Sequence, residues 1–146
     1  RGLKTLALRV RHQNESALTI ARFLSEHPSV AHVHYAGHES HPDHARARQL
    51  FAGFGGVLSF EPRGGEAAAL RLLDRLKIPL RAPSLGGVET LITLPAKTSH
   101  ASLSPREREE LGITACLIRL SVGIEATEDL VDDFRQALES GTETRT

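Results

Sequence analysis

The chain has 146 residues with 18 Lys and Arg against 18 Asp and Glu, so no overall field draws it to nucleic acid or to an anionic membrane. Its 40% hydrophobic content is that of an ordinary globular domain, and one of this length buries roughly 70% of its unfolded surface. A lone Cys116 closes no internal disulfide, and the sequence holds no apolar run of membrane-spanning length and no signal-peptide pattern, so a cytoplasmic setting is expected.

The sequence contains no Met and opens on "RGLKTLALRV", already in helical pattern, which reads as a fragment of a longer polypeptide. Leu3, Leu6, Val10, Ala17, Ala21 and Leu24 recur at helix-like spacing, and His27-Pro28 supplies a stop, so one long amphipathic helix is predicted. Its basic residues Arg1, Lys4, Arg9 and Arg11 are read as a solvated face or an inter-domain seam. "VAHVHY", 30 to 35, is a short strand, and "HPDHARARQLF" a short helix entered through Pro42. A glycine turn then feeds a strand over 56 to 61, and "GEAAALRLLDRLK" forms the next helix.

"APSLGGVETLITLP", 82 to 95, places a tight glycine turn before a strand "VETLITL". After the loop "PAKTSHASL", Ser104 is a candidate N-cap, Pro105 takes the first helical position, Glu107 completes a capping box and Gly112 ends the helix. "CLIRLSVG" is a strand and "ATEDLVDDFRQALES" a final amphipathic helix, with "GTETRT" as a tail. These elements predict an α+β fold: a mixed or antiparallel sheet of about four strands with helices mainly on one face.

Among possible sites, His32, His34, His38, His41 and His44 crowd together but lack the ligand pairs of a zinc site, and no metal is expected. Gly53, Gly55 and Gly56 match neither phosphate-binding glycine motif and read as a turn. Cys116 has no evident activating neighbour and reads as a small buried hydrophobe. Arg119 stands inside an apolar strand, where its charge is costly unless a planar anion meets it. That anion is either an internal Asp or Glu or an incoming carboxylate. The Ser84-Leu85-Gly86-Gly87 turn is equally open, being either a sharp reversal or a place where backbone approaches a ligand.

Those two segments, with "RGLKTLALRV", "HPDHARARQLFAGFGGVLSFE", "PAKTSHASL" and "LIRLSVGIEATEDLVDDFRQAL", closely resemble the carboxy-terminal domain of the Cys/Met-metabolism family of pyridoxal-phosphate enzymes across nearly the whole chain. The family includes cystathionine γ-synthases, cystathionine β- and γ-lyases, methionine γ-lyases and homoserine-ester sulfhydrylases. The resemblance implies the small domain of a fold-type I enzyme, spanning residues 1–140 with a linking helix at 1–27 and a tail at 141–146. It implies that Arg119 of the R-L-S strand binds the substrate α-carboxylate and that Ser84 of S-x-G-G contacts the substrate. Thr98-Ser99-His100 stands where the family usually has Met-Thr-His, so Ser99 keeps the hydroxyl and joins the substrate-binding set.

Neutral Pro83 stands where cystathionine-recognising members often carry an acid, which leaves simpler sulfur amino acids open. The family's Schiff-base lysine and cofactor-phosphate loop belong to a larger preceding domain, and Lys4, Lys77 and Lys97 match none of that context. No catalytic residue is therefore expected in this chain, pyridoxal 5'-phosphate is expected to be bound mainly by that other domain, and residues 1–146 alone are expected to be inactive. The implied partners are a sulfur-containing or O-acylated amino acid, the cofactor domain and further copies in a homotetramer. The implied activity is carbon-sulfur lyase or γ-replacement chemistry, and the other reading is a non-catalytic assembly or amino-acid-binding module that kept the fold.

Overall fold

The computed structural model describes residues 1–139; the predicted tail at 141–146 lies outside them. A 3-10 turn, Gly2–Thr5, leads into α1, Leu6–Glu26. The apolar stripe of α1 begins later than the spacing suggests. Leu3, Leu6 and Val10 are exposed, whereas Ala17, Ile20, Ala21 and Leu24 are fully buried. The helix ends at His27, whose extended backbone is what a following Pro28 demands.

The remaining elements are β1, Val30–His34, α2, His44–Leu50, β2, Val57–Pro62, α3, Gly65–Arg75, β3, Leu80–Arg81, β4, Leu91–Thr93, α4, Pro105–Glu110, β5, Ile118–Ser121, and α5, Thr127–Glu139. α2 starts at His44 and not at Pro42, because two successive turns, His41 N–H to His38 O and His44 N–H to His41 O, occupy the entry. α4 carries the full reciprocal cap, with Glu107 N–H donating to Ser104 Oγ at 3.3 Å and Ser104 N–H to Glu107 Oε2 at 2.8 Å.

The sheet has five strands in the order β1-β2-β5-β4-β3, one more than predicted. The extra strand is the two-residue β3, too short to carry an alternation, and it pairs parallel to β4 while every other pairing is antiparallel. The predicted strand 88–94 shrinks to β4 because Val88 and Thr90 bond to the segment after β5. Alternation gives the sheet two unlike faces. Leu58 and Phe60 of β2, Ile118 and Leu120 of β5, and Ile92 of β4 pack under α1, α3 and α5 in one core, where Phe60 meets Phe134 edge-to-face at 6.0 Å. The register sets Ser59, Arg119 and Thr93 side by side on the opposite face. No described helix is long and apolar enough to cross a membrane.

Phe60 lies at the centre of the helix-covered face at 0% exposure, so Phe60→Ala is expected to cost about 3–5 kcal/mol in chemical denaturation. A loss under about 1 kcal/mol would show that this face is not the core.

Candidate functional site

Arg119 is placed by strand alternation. Its neighbours Ile118 and Leu120 turn toward the helices, which sends the guanidinium to the opposite face, beneath the segment that joins β3 to β4. Its Nη2 donates to Pro83 O at 2.7 Å and to Ser84 O at 3.0 Å. Its Nε–H is buried and takes no partner. No described carboxylate lies within ion-pair distance, so the internal salt bridge that the sequence left open is not formed among the described residues.

The segment 83–90 has almost no ladder of its own, and side chains satisfy its backbone instead. Gly86, at φ +75°, donates its N–H to Ser121 Oγ at 3.0 Å, while its carbonyl accepts from Arg9 Nη1 at 2.6 Å. Gln13 Nε2 donates to Gly87 O at 2.8 Å, and Ile124 N–H donates to Val88 O at 2.8 Å. Thr90 is fully buried and gives both its N–H and its hydroxyl to the Glu125 carboxylate, each at 2.7 Å. Its Oγ1 in turn accepts Gly123 N–H at 2.9 Å. Gly123 has no room for a side chain, since a Cβ there would stand 2.4 Å from Val88 O.

Arg9 is thus a tether to the glycine turn, not a solvated charge, and Arg9, Gln13, Ser121, Gly123 and Glu125 form a supporting set that sequence reasoning missed. One signal was available: Gln13 falls in the apolar stripe between Val10 and Ala17, and it is buried. Ser84 is exposed on the turn, and its hydroxyl has no partner among the described residues. Ser99 is exposed in the loop after β4 and its hydroxyl pairs with His100 Nδ1 at 2.8 Å. Thr98 secures that loop by donating to Leu94 O at 3.0 Å, with its Oγ1 also 3.0 Å from Thr93 Oγ1 beside Arg119.

The other candidates have ordinary partners. His34 pairs with Glu61 at 3.0 Å, His38 with Ser25 and Ser40, and His44 with Ala36 O, and no described group of three ligating side chains is placed to hold a metal. Gly53 and Gly56 lie against Asn14 and Gln13 of α1, and Gly55 takes φ +86° in the turn before β2. Cys116 is half-buried rather than buried, with its thiol donating to Glu61 Oε2 at 3.7 Å. Burial works to raise the Glu61 carboxyl, but hydrogen bonds from His34, Thr114 and Cys116 and the charge of His34 outweigh it and bring the group below its ordinary value.

These features define a class: a helix-backed α+β domain whose other sheet face presents an arginine under a glycine turn. The chain belongs to the family described as Cys/Met metabolism PLP-dependent enzyme, where PLP is pyridoxal phosphate, and the match runs over residues 1–139. It is 49% identical over 140 residues to cystathionine gamma-lyase of Bacillus subtilis (strain 168), covering 96% of this chain and 37% of that protein. Against the chloroplastic cystathionine gamma-synthase 1 of Nicotiana tabacum it is 47% identical over 140 residues, covering 96% and 26%. The crystal structure of cystathionine gamma synthase from Xanthomonas oryzae pv. oryzae in complex with cystathionine superposes with a TM-score of 0.91 at 45% identity, over 95% of this chain and 36% of that one. The chain therefore spans about a quarter to somewhat over a third of the length of these relatives.

Thr90→Val is expected to destabilise by about 2 kcal/mol, because it strands the Gly123 N–H and removes a donor from Glu125. Urea denaturation checks this, and an unchanged midpoint would show that the clasp contributes nothing. Glu61 has a lowered folded pKa, so its contribution is present above 4.5 and is lost as pH falls through the lower folded value. The stability gap between wild type and Glu61→Gln should accordingly be present above pH 4.5 and close on acidification. A gap that stays constant with pH refutes the linkage.

Proposed function

We propose that this chain forms the substrate-binding, carboxy-terminal part of a pyridoxal-phosphate-dependent enzyme of sulfur amino-acid metabolism, a carbon-sulfur lyase or a γ-replacement enzyme. One observation carries the reading: among the described residues Arg119 has no carboxylate partner, its Nη2 is fixed by the Pro83 and Ser84 carbonyls, and its buried Nε has no acceptor. An α-carboxylate supplies the planar acceptor that such a group lacks. Ser84, exposed on the same turn, offers its hydroxyl beside that carboxylate, and Ser99 offers a second from the loop after β4. Holding the acid end fixes the direction of the side chain whose bond is to be broken.

Pyridoxal phosphate, when bound, supplies the electron sink for this chemistry. The lysines of this chain do not fit its aldehyde. Lys97 lies beside Pro83 but ion-pairs through Nζ with Glu66 at 2.7 Å, Lys77 follows α3, and Lys4 sits in the exposed first turn. The cofactor's covalent anchor is thus assigned to a part of the enzyme outside residues 1–146, and these residues alone are inactive in this reading. Pro83 presents no charge to a distal ammonium, which favours sulfur amino acids or O-acylated homoserine over strict selection for cystathionine. The exposed apolar side chains Leu3, Leu8, Leu85, Val88 and Ile124 support burial of this side against another domain or subunit, in a homo-oligomer. The free thiol of Cys116 supports a cytoplasmic setting.

In the complete enzyme, Arg119→Ala should raise KM and lower kcat/KM by about a hundredfold or more, the equivalent of about 3 kcal/mol, with Arg119→Lys recovering part of it. Steady-state kinetics with cystathionine, methionine, cysteine and a homoserine ester measure it. Unchanged kinetics with every substrate would remove the carboxylate-binding role.

A further inference from the structure

A second basic site lies on the helix-covered side, away from Arg119. A cavity of about 80 Å³ opens between the end of β2, one flank of α3 and the end of α5, and its lining includes Arg63, Arg71, Arg75 and Ser29. Three arginines thus line one small depression in a chain of zero net charge. The apolar side of the wall is Pro62, Leu72 and Leu138, and no carboxylate of the described residues lines it.

The acids that would ordinarily neutralise these arginines are committed elsewhere. α3 carries Glu66 and Asp74, and each is paired outward: Glu66 with Lys97 at 2.7 Å and Asp74 with Arg81 at 2.5 Å. Asp74 stands three residues after Arg71, the spacing of a helix ion pair, yet it serves Arg81. Glu139, the acid at the end of α5, lies close enough to His27 to act on its titration and does not line the cavity. Arg63 spends Nε on Pro28 O at 3.1 Å and has no ion-pair partner among the described residues, nor have Arg71 and Arg75. Three like charges gathered without an acid repel one another, and an anion among them relieves that repulsion.

The geometry points to a binding site for a tetrahedral oxyanion, a phosphate or sulfate dianion, held by Arg63, Arg71 and Arg75 with the hydroxyl of Ser29 as a fourth donor. Guanidinium forks match the oxygens of such an anion. The volume suits one such group and falls well below the roughly 300 Å³ at which pockets for larger organic ligands begin. The anion has two sources, the free ion or the phosphate group of a larger molecule that stays outside the cavity.

The test is thermal denaturation of the 146-residue chain against sodium phosphate, sodium sulfate or glycerol 3-phosphate, with sodium chloride at matched ionic strength. The expected result is a saturable rise of a few degrees with phosphate and sulfate over chloride, abolished in Arg71→Ala/Arg75→Ala. A response to glycerol 3-phosphate as well assigns the site to phosphate groups of larger molecules, and its absence assigns it to the free ion. A rise no larger than in chloride overturns the proposal. So does a non-saturating rise that persists in the double variant, which is the general salting effect of these anions. Should the double variant fail to fold, amide shifts of Ser29, Ala68 and Leu72 in the wild type on phosphate addition replace it, and no shift there is equally fatal.

Discussion

The structure depends on how the backbone of residues 83–90 is satisfied without a neighbouring strand. A connecting segment on a surface ordinarily leaves its amides and carbonyls to water. Here Arg119, Arg9 and Gln13 donate to the carbonyls of Pro83, Ser84, Gly86 and Gly87, while Ser121 and Glu125 accept from the amides of Gly86 and Thr90. The partners come from α1, from β5 and from the turn after it, so the bend is fixed relative to both the first helix and the last strand. Glycine at 123 is part of the same arrangement, because the chain after β5 passes against Val88 and Glu89 at a distance that admits no Cβ. The bend is therefore a rigid feature made from long-range bonds, although it has no regular secondary structure.

That origin explains what the sequence disclosed. The capping box of α4, the stop at His27-Pro28 and the alternation of β2 and β5 are local, and each was legible from a few adjacent residues. Arg119 was legible as an anomaly, one charge in an apolar strand, but whether it met an internal acid was not, since that turns on which chain segment crosses the strand. The tether residues Arg9, Gln13 and Glu125 were not seen because a side-chain bond to a backbone carbonyl or amide some 35 to 77 positions away leaves no periodicity. β3 was missed for the opposite reason, having only two residues and no pattern to read. The early apolar residues misled, because Leu3, Leu6 and Val10 continue the spacing of the core stripe while remaining exposed.

The two faces of the sheet divide the work. Leu58, Phe60, Ile118, Leu120 and Ile92 meet the helices and hold the fold together, which leaves the alternate positions outside that core. Those positions carry Ser59, Glu61, Thr93, Arg119 and Ser121, side chains suited to hydrogen bonding rather than to a dry core. Strand alternation alone thus brings the polar groups of three strands to one surface, and the cluster of Glu61 with His34, Thr114 and Cys116 extends it toward the β1 edge.

Arg119 and the bend constrain each other. An arginine free in solvent loses up to about 2 kcal/mol of rotamer entropy when a ligand immobilises it. This one is already held by two carbonyls, so in the proposed role a carboxylate meets a guanidinium whose direction is set before binding. The same two bonds locate the Ser84 backbone relative to the guanidinium, a relation that neither strand nor loop would give alone. Nε–H remains without a partner, and a buried donor in that state costs the protein about 1–3 kcal/mol that an arriving acceptor can return. In the proposed role this imbalance favours a carboxylate, which answers both the charge and the missing acceptor, over a neutral group, which offers one weak bond.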